Sequence, residues 1–491
     1  MSQYWILVAI LLPILGGGLV PLLPFKKRNV MLFYLETLTI VTSVIVWSLL
    51  LGGTTEVFHV IHFVKDLSIS FKIDGLTMVF AGLVSVLWPL ATLYAFEYME
   101  HEGHEKIFFM FYSMTYGVTL GIAFASDMLS MYFFYELLTL TTVPLVMHTL
   151  KREAILASRK YLYYSLGGAA FALMALVFLL VYGDSVEFVL GGVLSVGMLG
   201  DKAPLLLWIY LLAFMGFGVK AAIWPLSSWL PQAGVAPTPV TALLHAVAVV
   251  KAGVFAMIRL TYYSFGTEFL RGTWVQYVVM AFAVFTIVYG CSRATKEIHI
   301  KRRLAYSTVS NLSYVIFGVT IMTPQGLVGA LCHLVCHAVM KICSFLCAGA
   351  FMHQTGKSYV YEMDGMGRRM PIVFGCFTVS ALGLMGVPGL AGFISKWNLT
   401  EAAVYSENKL AYVGIVCLLI SALLTAIYML NIVVRAFFPK QEFEYSTIKN
   451  VKDPSWKMCV PLLICAMGVI VLGLFSTPLL QFLTDVATGK Y

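Results

Sequence analysis

Residues 217–259 read FGVKAAIWPLSSWLPQAGVAPTPVTALLHAVAVVKAGVFAMIR. The stretch sets Lys220, His245 and Lys251 in apolar surroundings and interrupts them with Pro225, Pro231, Pro237 and Pro239. Inside a bilayer both choices are expensive: a buried lysine costs about 2.5–3.5 kcal/mol on insertion scales, and a helix break is tolerated only against protein or a water-filled cavity. Whatever surrounds this stretch has to compensate for both.

A bilayer is the setting that composition dictates. Of 491 residues, 60% are hydrophobic and only 11% charged, and the mean hydropathy is +0.88. Apolar runs of about 20 residues, separated by short charged clusters, define an all-α polytopic membrane protein. Windows of that length predict about fourteen transmembrane helices, near 4–23, 29–51, 75–98, 106–124, 127–149, 159–182, 204–230, 238–262, 275–294, 304–322, 326–352, 371–400, 411–437 and 457–482. No soluble domain is left over. The expected organisation is one integral membrane domain over 1–491: N-terminal helices (1–105), a first repeat (106–262), a second repeat (275–437) and a C-terminal helix (457–482).

Basic clusters recur in alternate loops, at Lys26–Arg28, Lys151–Lys160, Arg293–Arg303, Lys357–Arg369 and Lys440–Lys457. The positive-inside rule makes these loops cytoplasmic and puts both termini outside, in a multi-pass protein of the cell membrane. The opposite loops hold Asp184, Glu187 and Glu268 with few basic residues, which agrees with that topology. The net charge of +8 therefore reports topology rather than nucleic-acid binding. The first helix lacks a basic start and a small-residue cleavage site, so it is expected to be retained. All nine cysteines lie in or beside predicted helices, which leaves no expected disulfide.

Glu136 sits mid-span in the fifth predicted helix, between Tyr132, Tyr135 and several threonines. At that depth a carboxylate must be protonated, paired or hydrated, and intramembrane acids mark ion or proton paths. An ammonium isolated in apolar surroundings needs a partner, and Glu136 is the candidate for Lys220. His245 and Lys251, six residues apart on one continuous helix, would be about 120° apart and could both edge a hydrated interior. Alone, His245 would read as a core histidine bonded to a carbonyl; Lys251 nearby favours a functional role. Glu36 lies about two turns from the cytoplasmic end of the second helix, close enough to snorkel. LSISFKID at 67–74 alternates like a short outer strand, and the basic turn in EIHIKRRLAYSTVSNL at 297–312 reads as an orientation anchor.

The eleventh predicted helix contains His333, His337 and Lys341 at steps of four residues, one slowly drifting face. Such a ladder suits proton hopping, since imidazole both accepts and donates. Cys332, Cys336, Cys343 and Cys347 on the same helix raise a rival metal or haem reading. That reading is weaker, because CHLVCH is one residue longer than the haem-attachment pattern and ligands on one helix do not converge. The cysteines are read as small packing residues, with no metal and no cofactor assigned. The twelfth helix repeats the theme of the opening stretch, with a break at Gly386-Val387-Pro388-Gly389 followed by Lys396. FGVKAAIWPLSSWLP and MGVPGLAGFISKWNL lie five helices apart, and an odd spacing inverts topology. Helices 4–8 and 9–13 are thus candidates for inverted repeats with broken helices 7 and 12, a pairing that points to a transport path.

The segments GVKAAIWPLSSWLPQAGVAPTPVTALLHAVAVVKAGVFAMIR, KRRLAYSTVSNLSY, HLVCHAVMKICSFLCAG and PGLAGFISKW resemble the proton-conducting antiporter-like membrane subunits of respiratory complex I, Mrp-type sodium/proton antiporters and membrane-bound hydrogenases. The resemblance covers nearly the whole chain. It implies that Glu136 is the glutamate of helix five, Lys220 its partner on broken helix seven, His245 and Lys251 the helix-eight relay, His333, His337 and Lys341 the connecting ladder, and Lys396 the terminal site on broken helix twelve. In that family these groups line a hydrated axis running sideways at mid-membrane. The sequence departs from the family at His299, where many members carry an aspartate, and in the absence of an appended lateral helix. FYELLTLTTVPL is closer to the Mrp D and hydrogenase-associated branches. The resemblance implies a proton-translocating subunit without redox chemistry of its own, in a redox-driven complex with further antiporter-like subunits. Nothing in the sequence resembles a flavin, nucleotide or iron–sulfur site. The alternative is a subunit of an Mrp-type antiporter, moving protons and Na+ without a redox partner.

Overall fold

The computed structural model describes residues 3–53, 56–64, 67–195, 197, 199–440 and 443–490. The N-terminal part comprises α1 (Tyr4–Gly18), α2 (Arg28–Gly52), a hairpin of β1 (Phe58–Val64) and β2 (Leu67–Phe71), and α3 (Gly75–Tyr98). Next come α4 (Glu105–Phe124), α5 (Met128–Val146), α6 (Arg152–Tyr182), α7 (Ala203–Lys220), the one-turn α8 (Trp229–Gln232), α9 (Thr238–Ala246), α10 (Val249–Ile258) and short α11 (Thr267–Leu270). The second half comprises α12 (Trp274–Lys296), α13 (Ile300–Ile321), α14 (Pro324–Thr355), short α15 (Met366–Arg369), α16 (Pro371–Met385), α17 (Ala391–Tyr405) and α18 (Lys409–Phe437), and α19 (Trp456–Leu474) and α20 (Thr477–Ala487) close the chain. Among the described residues twelve helical segments are long and apolar enough to cross a membrane, and α1 and α16 are shorter apolar helices.

The predicted strand at 67–74 is β2, which pairs antiparallel with β1 in the register Phe58↔Phe71 to Val64↔Leu67. β1, with the run FHVIHFV after Gly52-Gly53, is not assigned from the sequence. Two carboxylates tie the hairpin to the bundle. Asp74 caps α3 by accepting from the Thr77 N–H at 2.9 Å, and Asp127 caps α5 by accepting from the Ser130 N–H at 2.7 Å while also taking the Ser70 hydroxyl.

Several breaks fall elsewhere than the prolines indicate. The predicted helix 204–230 already ends at Lys220, before Pro225; Pro231 lies inside α8; Pro239 opens the first turn of α9 instead of breaking a helix. A proline in the first turn removes an N–H that has no helical partner anyway. The predicted helix 238–262 is interrupted at Val247 and Ala248, where both N–H groups reach back to the Leu243 carbonyl. It then widens into a π-helical turn at Arg259–Phe265. His245 and Lys251 therefore sit on different helices, and the 120° offset of a continuous helix does not apply. Pro388 does lie in the break between α16 and α17. The last predicted helix, 457–482, divides into α19 and α20.

Burial sorts the helices into layers. Every residue in the most apolar window of Thr238–Phe265 is buried, against 33% in that of α18, whose Leu419, Leu423 and Ile427 form an exposed apolar stripe. The hub is α14, which packs against α3, α9, α13, α16, α17, α19 and α20. The helices that carry His245, Lys251, His333, His337 and Lys341 thus lie innermost, away from lipid, as intramembrane polar groups require.

Candidate functional site

A lysine stands at each of the two helix breaks, Lys220 at the end of α7 and Lys396 after the end of α16. At the end of α7, Lys220 is 1% exposed, donates to the Tyr135 carbonyl, and lies 3.4 Å from the centre of the Tyr135 ring. Its ion pair with Glu136 Oε1 is looser, at 3.9 Å, and the Glu136 side chain is 22% exposed. The predicted partner is present, but the ammonium is held first by the residue before it.

Gly253 on α10 lets that helix pack against the end of α7 at Lys220. A Cβ there would stand 2.5 Å from the Ala221 nitrogen and 3.0 Å from Lys220 Cβ. Gly253→Ala is therefore expected to lower stability by about 1–3 kcal/mol through overpacking, read as a drop in the thermal midpoint of the purified protein.

Lys251 Nζ lies 2.8 Å from His337 Nδ1. His337 and His333 stack one turn apart with ring centres 5.8 Å from each other, and His333 Nδ1 is hydrogen-bonded to Ser395 Oγ on α17 at 2.9 Å. All of these side chains are fully buried. The third rung turns aside: Lys341 donates to Ser307 Oγ at 2.8 Å and to the Leu304 carbonyl at 3.2 Å. Ser307 also receives the Tyr428 hydroxyl at 2.7 Å, which links α14 through α13 to α18. The predicted ladder is thus a row whose rungs each find a partner on a different helix.

His245 does not join Lys251. Its ring stacks on Phe345 with centres 4.7 Å apart, and neither ring nitrogen has a hydrogen-bond partner among the described residues. Lys301, predicted as a surface anchor, is instead 5% exposed and donates to the Ala236 carbonyl at 2.8 Å, capping the segment before α9.

Lys396 shows what the second break is for. The last carbonyls of α16 have no helical donors, and Lys396 Nζ donates to those of Leu384 at 2.7 Å and Met385 at 3.0 Å. A cation at a helix C-terminus also meets the favourable end of its dipole. Lys396 is half-buried and its neighbour Trp397 is exposed.

One buried pair escaped the sequence reading. Arg259, fully buried, makes a bidentate pair with Asp74 at 2.6 and 2.8 Å and is enclosed by the rings of Phe188, Phe255 and Tyr263. Burial alone would raise the Asp74 carboxyl, but Arg259 and Lys72 outweigh it and hold it at about 2.

Among the described residues no three His, Cys, Asp or Glu side chains are grouped to hold a metal ion. Cys332 and Cys336 are free and buried on α14. Replacing both with alanine is expected to leave assembly and transport within about twofold of wild type, as for small buried side chains; loss of transport at normal abundance would restore a chemical role for the thiols.

These features define a multi-pass membrane protein with a row of titratable side chains through its most buried helices. The family model for "NADH:quinone oxidoreductase/Mrp antiporter, TM" matches residues 125–425, and that for the N-terminus of complex I chain 5 matches 62–109. The chain belongs to the NADH:quinone oxidoreductase/Mrp antiporter family. It is 27% identical to Na(+)/H(+) antiporter subunit A1 of Staphylococcus haemolyticus over 98% of its own length, and spans 62% of that relative. It is also 27% identical to NAD(P)H-quinone oxidoreductase chain 4-3 of a Nostoc species, over 88% of this chain and 78% of the relative. In fold it is similar to a chain of the membrane-bound sulfane sulfur reductase, an archaeal respiratory membrane complex, with a TM-score of 0.86, 22% identity, and coverage of 99% of this chain and 97% of the other.

Proposed function

We propose that the chain is a proton-translocating subunit of a multisubunit membrane complex. The observation that carries this reading is the buried row of Lys251, His337, His333 and Ser395, hydrogen-bonded at either end and joined in the middle by stacked imidazoles. Imidazoles and amines pass protons by accepting on one side and donating on the other, and between His337 and His333, whose Nε2 atoms have no partner among the described residues, the transfer needs a bridging water or a ring rotation. Lys220 with Glu136 loads one end, and Lys396 at the α16 break receives at the other. Drawing Glu136 away removes the counter-charge that keeps the proton on Lys220, and the proton moves on toward Lys251. His245, without a fixed partner, serves as a side station reached through water.

The two breaks, after Lys220 and before Lys396, support the reading of helices 4–8 and 9–13 as inverted repeats. The alternation of basic loops supports cytoplasmic placement of Lys26–Arg28 and both termini outside. Further membrane subunits are the partners this reading calls for, because Glu136 and Lys396 are both part-exposed while the groups between them are buried. A redox-driven complex is the first assignment and an Mrp-type sodium/proton antiporter the second. Copurification from native membranes followed by mass spectrometry separates them: dehydrogenase or hydrogenase subunits favour the first, and antiporter subunits alone the second.

A further inference from the structure

At the end of the bundle that the basic loops assign to the cytoplasm, the turn between α5 and α6 faces the loop before α13 across a cavity of about 550 Å³. The first half of the chain supplies Lys151, Glu153 and Ala154 to its wall, and the second half Glu297, Lys301 and Arg302. The volume is that of a small-molecule pocket, more than a single ion fills. Basic side chains outnumber the carboxylates in the lining. Of the latter, Glu297 accepts the His299 N–H at 3.3 Å, and Glu153 is exposed.

Two sets of donors on this wall lack a matching acceptor. Lys301 is 5% exposed, yet its ammonium meets only the Ala236 carbonyl, at 2.8 Å. No carboxylate among the described residues lies within ion-pair distance of it; Glu102 acts from farther away. A buried charge without a counter-charge is costly, and an anion in the cavity would supply one. The second set is backbone. α6 runs for 31 residues, and Lys151 at its N-cap offers no side-chain acceptor. The N–H groups of Arg152, Glu153 and Ala154 have no acceptor among the described residues. Ala154 is buried, so a partner for its N–H has to come from the cavity that it lines. Lys151 and Arg302 add exposed cations to the same cavity.

We propose that this cavity is a binding site for a phosphate group, held by Lys301, Arg302, Lys151 and the opening N–H groups of α6. A phosphate offers what the wall lacks: negative charge for the ammonium, and several acceptor oxygens for donors on two helices. The remaining room takes part of the molecule that carries the phosphate, either an anionic phospholipid of the cytoplasmic leaflet or a soluble phosphate compound. Because the wall is shared between the two halves of the chain, a bound phosphate ties the start of α6 to the start of α13. None of the residues assigned to the buried row lines the site, and the proposal does not depend on that row conducting protons.

The test uses the full chain in nanodiscs of neutral phosphatidylcholine. One arm adds a trace of phosphatidylglycerol with a photoactivatable headgroup; the other adds radiolabelled inorganic phosphate and no anionic lipid. Crosslinking to the chain, or saturable retention of the radiolabel, is expected, and Lys151→Gln with Arg302→Gln is expected to lower it several-fold. Lys301→Met is expected to lower it as far; should that variant be scarce, the exposed pair carries the test. Lys26→Gln with Lys27→Gln, which removes two exposed charges from another basic loop, is expected to leave the signal unchanged. Crosslinking that responds in this way assigns the phosphate to a lipid, and retention of the radiolabel alone assigns it to a soluble compound. No signal in either arm, or a signal that falls no further in Lys151→Gln with Arg302→Gln than in Lys26→Gln with Lys27→Gln, overturns the site.

Discussion

Lys220→Ala and Glu136→Gln, each in the assembled complex, are expected to cut proton translocation by about 100-fold or more, the scale of losing a positioned proton-transfer group, at near-normal abundance. The argument is local. Lys220 is the buried cation nearest the loading end, and its contacts are the Tyr135 carbonyl, the Tyr135 ring and the Glu136 carboxylate. Without the amine nothing there accepts the proton; without the carboxylate nothing modulates its hold. Lys220→Arg separates transfer from simple charge. Guanidinium keeps the pair but does not release a proton, so it should fold and yet fail to translocate. Wild-type pumping in both Lys220→Ala and Glu136→Gln would sink the assigned roles.

The second large effect is on stability. Asp74→Ala leaves Arg259 buried and unpaired, and breaking a buried pair in this way costs about 3–5 kcal/mol. The expected result is loss of folded protein from the membrane fraction, or a large fall in the detergent thermal midpoint. Replacing both partners at once, Asp74→Leu with Arg259→Met, is expected to recover much of the loss, because the fully buried guanidinium is then no longer stranded. If single and double variants were equally damaged, the pair would have no special standing. The pH sign follows from the carboxyl held at about 2, below its ordinary 3.8. This stabilisation is complete above pH 3.8 and is lost as the pH falls through about 2.

The residues that the sequence singled out were those whose type is wrong for their depth. Glu136, Lys220, Lys251, His333, His337, Lys341 and Lys396 each stand in an apolar run, and each lies in or at the edge of the bundle interior. Their pairing was less legible. The interruption at Val247 and Ala248 carries neither glycine nor proline, so the continuous-helix geometry offered for His245 and Lys251 had no local signal against it. Ser395, Ser307 and Tyr428 are ordinary residues in membrane helices until the histidine or lysine they touch is known. Arg259 ended the opening stretch in plain view, but its partner lies 185 positions earlier, a distance no helical period spans. Lys301 was hidden by its company, because a Lys-Arg-Arg run reads as an interface anchor and only packing shows that its first member points inward.

Carrying the relay on α14 also restricts how the gene can change. His333, His337 and Lys341 meet Ser395, Lys251 and Ser307 respectively, on three other helices. One rigid rod sets all three meetings, and a single inserted or deleted codon between 333 and 341 would turn every later side chain by about 100°. Point substitutions can retouch the packing around the rod, but its residue count in that interval is fixed. Lineages of this protein should accordingly vary in their loops and in the lipid-facing α18 while keeping the reading length of this segment unchanged.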